Sequence, residues 1–218
     1  MTDPQSAEAI RQLSRERYRT RAAAYDETCS RTWPLRERAV ERLRLIPGQR
    51  VLDVGCGTGL SFALLRERVG DRGVVYGCEQ SPEMAELARR RIVRHGWTNV
   101  HLVEQPAHEL VLPELLDALL FNYTHDICRS EDAVVRLMSL ARPSAIVSMA
   151  GIKAFPLWLM PLNLYVWFKN RAYNGRPGEL RSPWDIVGRW VPDLVIEPTQ
   201  LGMGYLAHGR VARPPTEG

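Results

Sequence analysis

The stretch VLDVGCGTGL, Val51 to Leu60, sets Gly55, Gly57 and Gly59 at alternate positions directly after a short apolar run. An apolar run that ends in glycines and passes into the amphipathic LSFALLRERV has the form of strand, turn and helix. Glycine permits unusual dihedrals in such a turn and lets a ligand approach the backbone without meeting a Cβ. The helix beyond it offers unpaired N–H groups. A dinucleotide-binding turn reads GxGxxG, which would need glycine where Leu60 stands, so the spacing argues against that ligand. Asp53, just before the glycines, favours a cationic or hydroxylated ligand near the turn.

Outward from this turn the pattern alternates. Short apolar runs lie at 51–54, 74–78, 100–104, 118–121, 145–150 and 194–198, with helical candidates at 59–69, 82–95, 131–141 and 183–190. Strands separated by helices of this length predict an α/β fold, a mostly parallel central sheet with helices on both faces. The closing LGMGYLAHGRVA alternates loosely and predicts an antiparallel edge hairpin with the preceding run. Two further helical patterns, at 5–23 and 33–45, precede the first strand. The chain thus divides into an N-terminal helical region, 1–45, and a main domain, 46–211, carrying an aromatic insertion at about 152–181.

Composition narrows the function. The 218 residues suffice for one filled core, and a net charge of +4 with no basic stripe gives no nucleic-acid footprint. Cys29, Cys56, Cys78 and Cys128 include no CxxC pair, which fits a reducing cytoplasm better than a disulfide framework or structural zinc. The N-terminus has no apolar signal region, and the greasiest run, 152–168, falls short of the roughly 20 residues a membrane-spanning helix needs. The histidines lie on separate elements, so no metal site is expected. The phosphate-binding GxxxxGK[ST] loop is missing as well.

DVGCGTG resembles the first motif of class I S-adenosylmethionine-dependent methyltransferases, and the similarity extends through about 51–150. The resemblance implies their Rossmann-like fold and S-adenosyl-L-methionine as cofactor. It brings Gly55, Cys56, Gly57 and Gly59 close to that cofactor, with Asp53 supporting the loop and the polar end of the methionine moiety. VVYGCEQSPEMAELAR matches the second motif. Its Glu79 is implied to accept hydrogen bonds from both ribose hydroxyls, with Gln80 and Met84 flanking the adenine. The third motif is altered, since Pro106 stands where the family commonly has an acidic residue, leaving Gln105 and Ala107 as base contacts. Asn122 and Tyr123 end the fourth strand beneath the methionine portion.

The segment RYRTRAAAYDETCSRTWPLRERAVERL is similar to the helix, YD and helix arrangement of ubiquinone and menaquinone biosynthesis methyltransferases. Tyr18, Tyr25 and Trp33 are therefore lid candidates, Tyr25 as a catalytic group and the other two as substrate contacts.

His125 beside Asp126 fits a general base oriented by a carboxylate, or equally a pair capping the helix near Ser130. Methyl transfer needs little beyond alignment of a nucleophile against the sulfonium, so a base is not obligatory. In the insertion, Trp158, Tyr165 and their apolar neighbours precede Lys169, Arg171 and Arg176. That arrangement suits a lid over a small apolar or amphiphilic substrate. It leaves a peripheral membrane-surface contact and a homodimer interface open. The substrate is expected to enter between the N-terminal region and this insertion, outside the carboxyl ends of the strands. Transfer of another group of the same cofactor, and a non-catalytic binding subunit, are the competing readings.

Overall fold

In the computed structural model, residues 32–153 and 182–212 are described. The chain runs α1 (Trp33–Arg42), β1 (Arg50–Val54), α2 (Phe62–Val69), β2 (Val74–Cys78), α3 (Pro82–His95), β3 (Val100–Val103), β4 (Leu116–Asn122), α4 (His125–Cys128), α5 (Glu131–Ser139), β5 (Ala141–Ile152), α6 (Asp185–Gly188), β6 (Val195–Thr199) and β7 (Gly204–Arg210). One seven-stranded sheet has the order β3-β2-β1-β4-β5-β7-β6. The first five strands are parallel, whereas β7 lies antiparallel between β5 and β6. This is the predicted Rossmann-like sheet with its antiparallel edge hairpin.

Side-chain alternation along the strands builds two cores, one on each face. Leu52, Val54, Leu119, Phe121, Val147, Met149 and Tyr205 meet Val134 and Leu137 of α5 on one face. Val51, Ala118, Leu120, Ala150 and Leu206 meet Leu35, Ala39 and Val40 of α1 and Phe62 and Leu65 of α2 on the other. Asp53 and Asn122 stand in phase with Val51 and Leu120, so the strand period alone directs both toward the α1 and α2 face.

Local chemistry sets the element ends. The Ser81 hydroxyl accepts from the Met84 N–H at 3.4 Å, Pro82 opens α3, and left-handed Gly96 closes it. Ser130 caps α5 through the Ala133 N–H at 3.4 Å, the role that His125 and Asp126 were candidates for. The helix expected over 131–141 stops at Ser139. The Leu140 carbonyl accepts from the Leu116 N–H at 2.8 Å, which starts the sheet ladder early, and Pro143 forbids a continued helix. The helix expected from 59 begins at Phe62, because positive φ angles at Gly57 and Gly59 hold the turn open. The expected helix over 183–190 keeps only one turn, Asp185–Gly188.

Candidate cofactor site

The carboxyl ends of β1, β2 and β4 converge on the glycine turn. Gly55, Gly57 and Gly59 have φ of 58°, 57° and 76°, the left-handed region that favours glycine. A Cβ at Gly59 would lie 2.5 Å from the Phe62 ring, and one at Gly55 would lie 2.8 Å from the Thr124 methyl. Two of the three glycines are thus required by the chain's own packing, a reason the sequence reading did not include.

Glu79 locks the turn to β2. Its Oε2 accepts from the Gly57 N–H at 2.9 Å and its Oε1 from the Ser81 N–H at 2.8 Å. Burial nevertheless pushes its carboxyl above the usual range. The Cys56 N–H donates to the Cys78 carbonyl at 2.9 Å, and the Arg91 Nε–H donates to the Thr58 carbonyl at 2.9 Å, so neighbouring elements brace the same loop.

Beneath the turn lies a buried polar cluster centred on Ser61. Arg36 of α1 donates to the Ser61 hydroxyl at 2.7 Å, and Asn122 Nδ2 donates to it at 3.4 Å. The hydroxyl in turn bonds the Asp53 carboxylate, whose pKa is raised to about 7 by burial against the opposing pull of Arg36. Arg36, Asp53 and Asn122 are 4%, 1% and 6% exposed, yet Arg36 Nε, Asp53 Oδ2 and Asn122 Oδ1 have no hydrogen-bond partner. Leaving such an atom unpaired in a dry site costs about 1–3 kcal/mol. Arg36 and Ser61 were not among the sequence candidates. The signal was present, since Arg36 falls in step with buried Ala39, Val40 and Leu43, a charge where an apolar residue belongs.

The adenine-side candidates are mixed. Met84, 1% exposed, sits in the first turn of α3, and Ala107, 7% exposed, joins the α5-side core. Gln105 turns its Oε1 to the Val111 N–H at 3.3 Å, and its carbonyl accepts from the Cys78 thiol at 3.2 Å. Half-buried Gln80 directly follows Glu79.

Tyr123 takes a left-handed φ of 60° as β4 ends, and its N–H donates to the Ala150 carbonyl at 2.8 Å. His125 turns its ring toward the end of β5. Its Nε2 lies 2.9 Å from the Ile152 carbonyl and 3.2 Å from the Ile152 N–H, while burial lowers its pKa. The imidazole thus ties α4 to the end of β5. Asp126 is exposed on α4. Trp33 opens α1 and donates its indole N–H to Glu37 at 2.8 Å. Tyr18, Tyr25, Trp158 and Tyr165 lie outside the described residues. A crevice of about 190 Å³ beside α4, lined by Cys128, Arg129, Ser182, Pro183, Asp185 and Ile186, borders the chain leaving the insertion.

The donor set fits the expected cofactor. Unpaired acceptors on Asp53 and Asn122 suit an ammonium, the Arg36 guanidinium suits a carboxylate, and the Glu79 carboxylate retains acceptor capacity for ribose hydroxyls. Among the described residues, no group of three or more His, Cys, Asp or Glu side chains is placed to hold a metal ion. No described helix is long and apolar enough to cross a membrane.

The seven-stranded sheet is a fold shared with solved S-adenosylmethionine-dependent methyltransferases. The family model of protein-L-isoaspartate(D-aspartate) O-methyltransferase matches residues 1–107, just under half of the chain, including the glycine turn and Glu79. Aklanonic acid methyltransferase DauC of Streptomyces sp. (strain C5) is 32% identical over 123 residues, 56% of this chain and 54% of that protein. The matches span between 21% and 54% of the curated relatives' own lengths. Among solved structures, an S-adenosylmethionine-dependent methyltransferase from Aquifex aeolicus superposes with a TM-score of 0.62 at 22% identity, covering 81% of this chain and 89% of that one. The N-methyltransferase NodS of Bradyrhizobium japonicum WM9, in complex with S-adenosyl-L-homocysteine, gives 0.58 at 15% identity, covering 82% and 87%. Both share the fold.

Proposed function

We propose that this protein transfers the methyl group of S-adenosylmethionine to a small apolar or amphiphilic molecule. The observation that carries the reading is the brace between Glu79 and the glycine turn, which sets a buried carboxylate against the turn at the carboxyl end of β2. When bound, the cofactor supplies an electrophilic methyl on a sulfonium. Glu79 holds the ribose, and the Asp53 and Asn122 cluster holds the amino-acid end. This fixes the direction in which an acceptor must approach. Tyr123 and α4, which follow β4 at the same edge of the sheet, line the acceptor side.

The small-molecule preference is supported by the aromatic insertion and by the aklanonic acid enzyme's match, which runs through 123 residues. The helix, YD and helix pattern of the N-terminal region agrees with an apolar acceptor of the quinone-precursor kind. A second reading, methylation of isoaspartyl residues in proteins, is favoured by the family match over residues 1–107. Titration calorimetry with S-adenosylmethionine, S-adenosylhomocysteine and NAD, on wild type and Glu79→Ala, tests the cofactor. The first two are expected to bind at micromolar affinity and to weaken at least tenfold in the variant. NAD binding alone would overturn the assignment. A mass-shift assay comparing aromatic hydroxy-acids with an isoaspartyl peptide then separates the two substrate classes.

A further inference from the structure

The cluster around Ser61 has a composition that the cofactor motifs do not require. It joins a residue from α1, one from the start of α2 and the ends of two parallel strands, all on one sheet face. Its internal bonds leave one donor, Arg36 Nε, and two acceptors, Asp53 Oδ2 and Asn122 Oδ1, each on a side chain at least nine-tenths buried. A free α-amino acid end is the complement of that set, since its carboxylate accepts and its ammonium donates up to three hydrogen bonds.

We infer that Arg36 reads the α-carboxylate of the cofactor, making it a specificity-determining residue that rejects the decarboxylated form. The inference rests on the methyltransferase reading. Asp53 and Asn122 take the ammonium, and the Ser61 hydroxyl, bonded to Arg36, Asn122 and Asp53, sets the spacing between the two points of recognition. The guanidinium is suited to a planar carboxylate in a way that an ammonium is not. A donor without its carboxylate, the kind used for aminopropyl transfer, would leave the buried Arg36 Nε–H without an acceptor. That argues against the aminopropyl alternative on the basis of this chain's own residues.

The test is a thermodynamic cycle by calorimetry on the full chain. S-adenosylhomocysteine is compared with its decarboxylated counterpart, which keeps the nucleoside, thioether and amine, on wild type, Arg36→Lys and Arg36→Met. Wild type is expected to prefer S-adenosylhomocysteine roughly ten- to a hundredfold, the size of a charge-assisted hydrogen bond. In Arg36→Met that preference is expected to vanish with the decarboxylated ligand binding as before, and in Arg36→Lys to survive only in part. Equal weakening of both ligands would reduce Arg36 to a structural role and overturn the inference. So would a wild type indifferent to the carboxylate, a result that needs no variant to fold. Tight S-adenosylhomocysteine binding alongside either result leaves the methyltransferase reading standing, whereas wild type binding neither ligand removes both.

Discussion

Glu79 and Gly57 are joined by a 2.9 Å hydrogen bond from the glycine N–H to the carboxylate, so the tip of β2 and the turn after β1 are one rigid unit. The other oxygen of Glu79 holds Ser81, which caps α3. The residue assigned to the cofactor therefore also shapes the loop. Glu79→Gln is expected to lower stability by about 1–3 kcal/mol, because an amide cannot accept at both ends. Thermal unfolding of the ligand-free protein measures this, and an unchanged midpoint would show the brace to be dispensable.

Phe62 fills the space that Gly59 and Gly77 leave. A Cβ at Gly77 would stand 2.5 Å from its ring, and Phe62 is fully buried. Gly77→Ala is expected to cost about 1–3 kcal/mol through overpacking. Adding Phe62→Leu should return part of that loss, whereas the same addition to Gly59→Ala should return less, since φ at Gly59 is 76° and remains strained for alanine. Denaturant melts of the four variants decide it.

Asp53 makes stability depend on pH. Burial pushes its carboxyl up to about 7 in the folded protein from an ordinary 3.8, so between those values the folded state keeps a proton that the unfolded chain has released. The stabilisation is full below about pH 4 and is lost as pH rises through 7. Glu79, also raised by burial, acts in the same direction. Relative to Asp53→Asn, wild type should therefore lose a few kcal/mol between pH 4 and pH 8. A gap that stays constant across this window would mean that Asp53 does not titrate there.

His125 ties α4 to Ile152 at the point where β5 leaves the sheet. His125→Ala is expected to destabilise the protein by about 1–3 kcal/mol and to raise KM more than it lowers kcat. The shape of the kcat profile against pH should be unchanged. Loss of the acid limb of that profile would instead establish the general-base role.

The strand and helix alternation was legible because hydrophobic periodicity is a local signal. Each of the parallel runs from Val51 to Ala150 appears in the sheet within a few residues of its expected limits. The boundaries that shifted did so for non-local reasons, as when Leu140 was drawn into the ladder by Leu116. The glycine turn and Glu79 were likewise readable, because they sit in one motif and at one strand end. The tie between His125 and Ile152 was not readable, because the two lie 27 positions apart.

What this sequence determines by itself is its periodicity: parallel strands, the glycine turn between β1 and α2, and an acidic residue at the end of β2. What only the tertiary structure decided is which side chains share a dry space. Arg36, Asp53, Ser61 and Asn122 are scattered along four elements and meet only because α1 packs on the face that the strand period gives to Asp53 and Asn122. Alternation along a strand is written in neighbouring residues, whereas the pairing of buried charges depends on how helices close over the sheet.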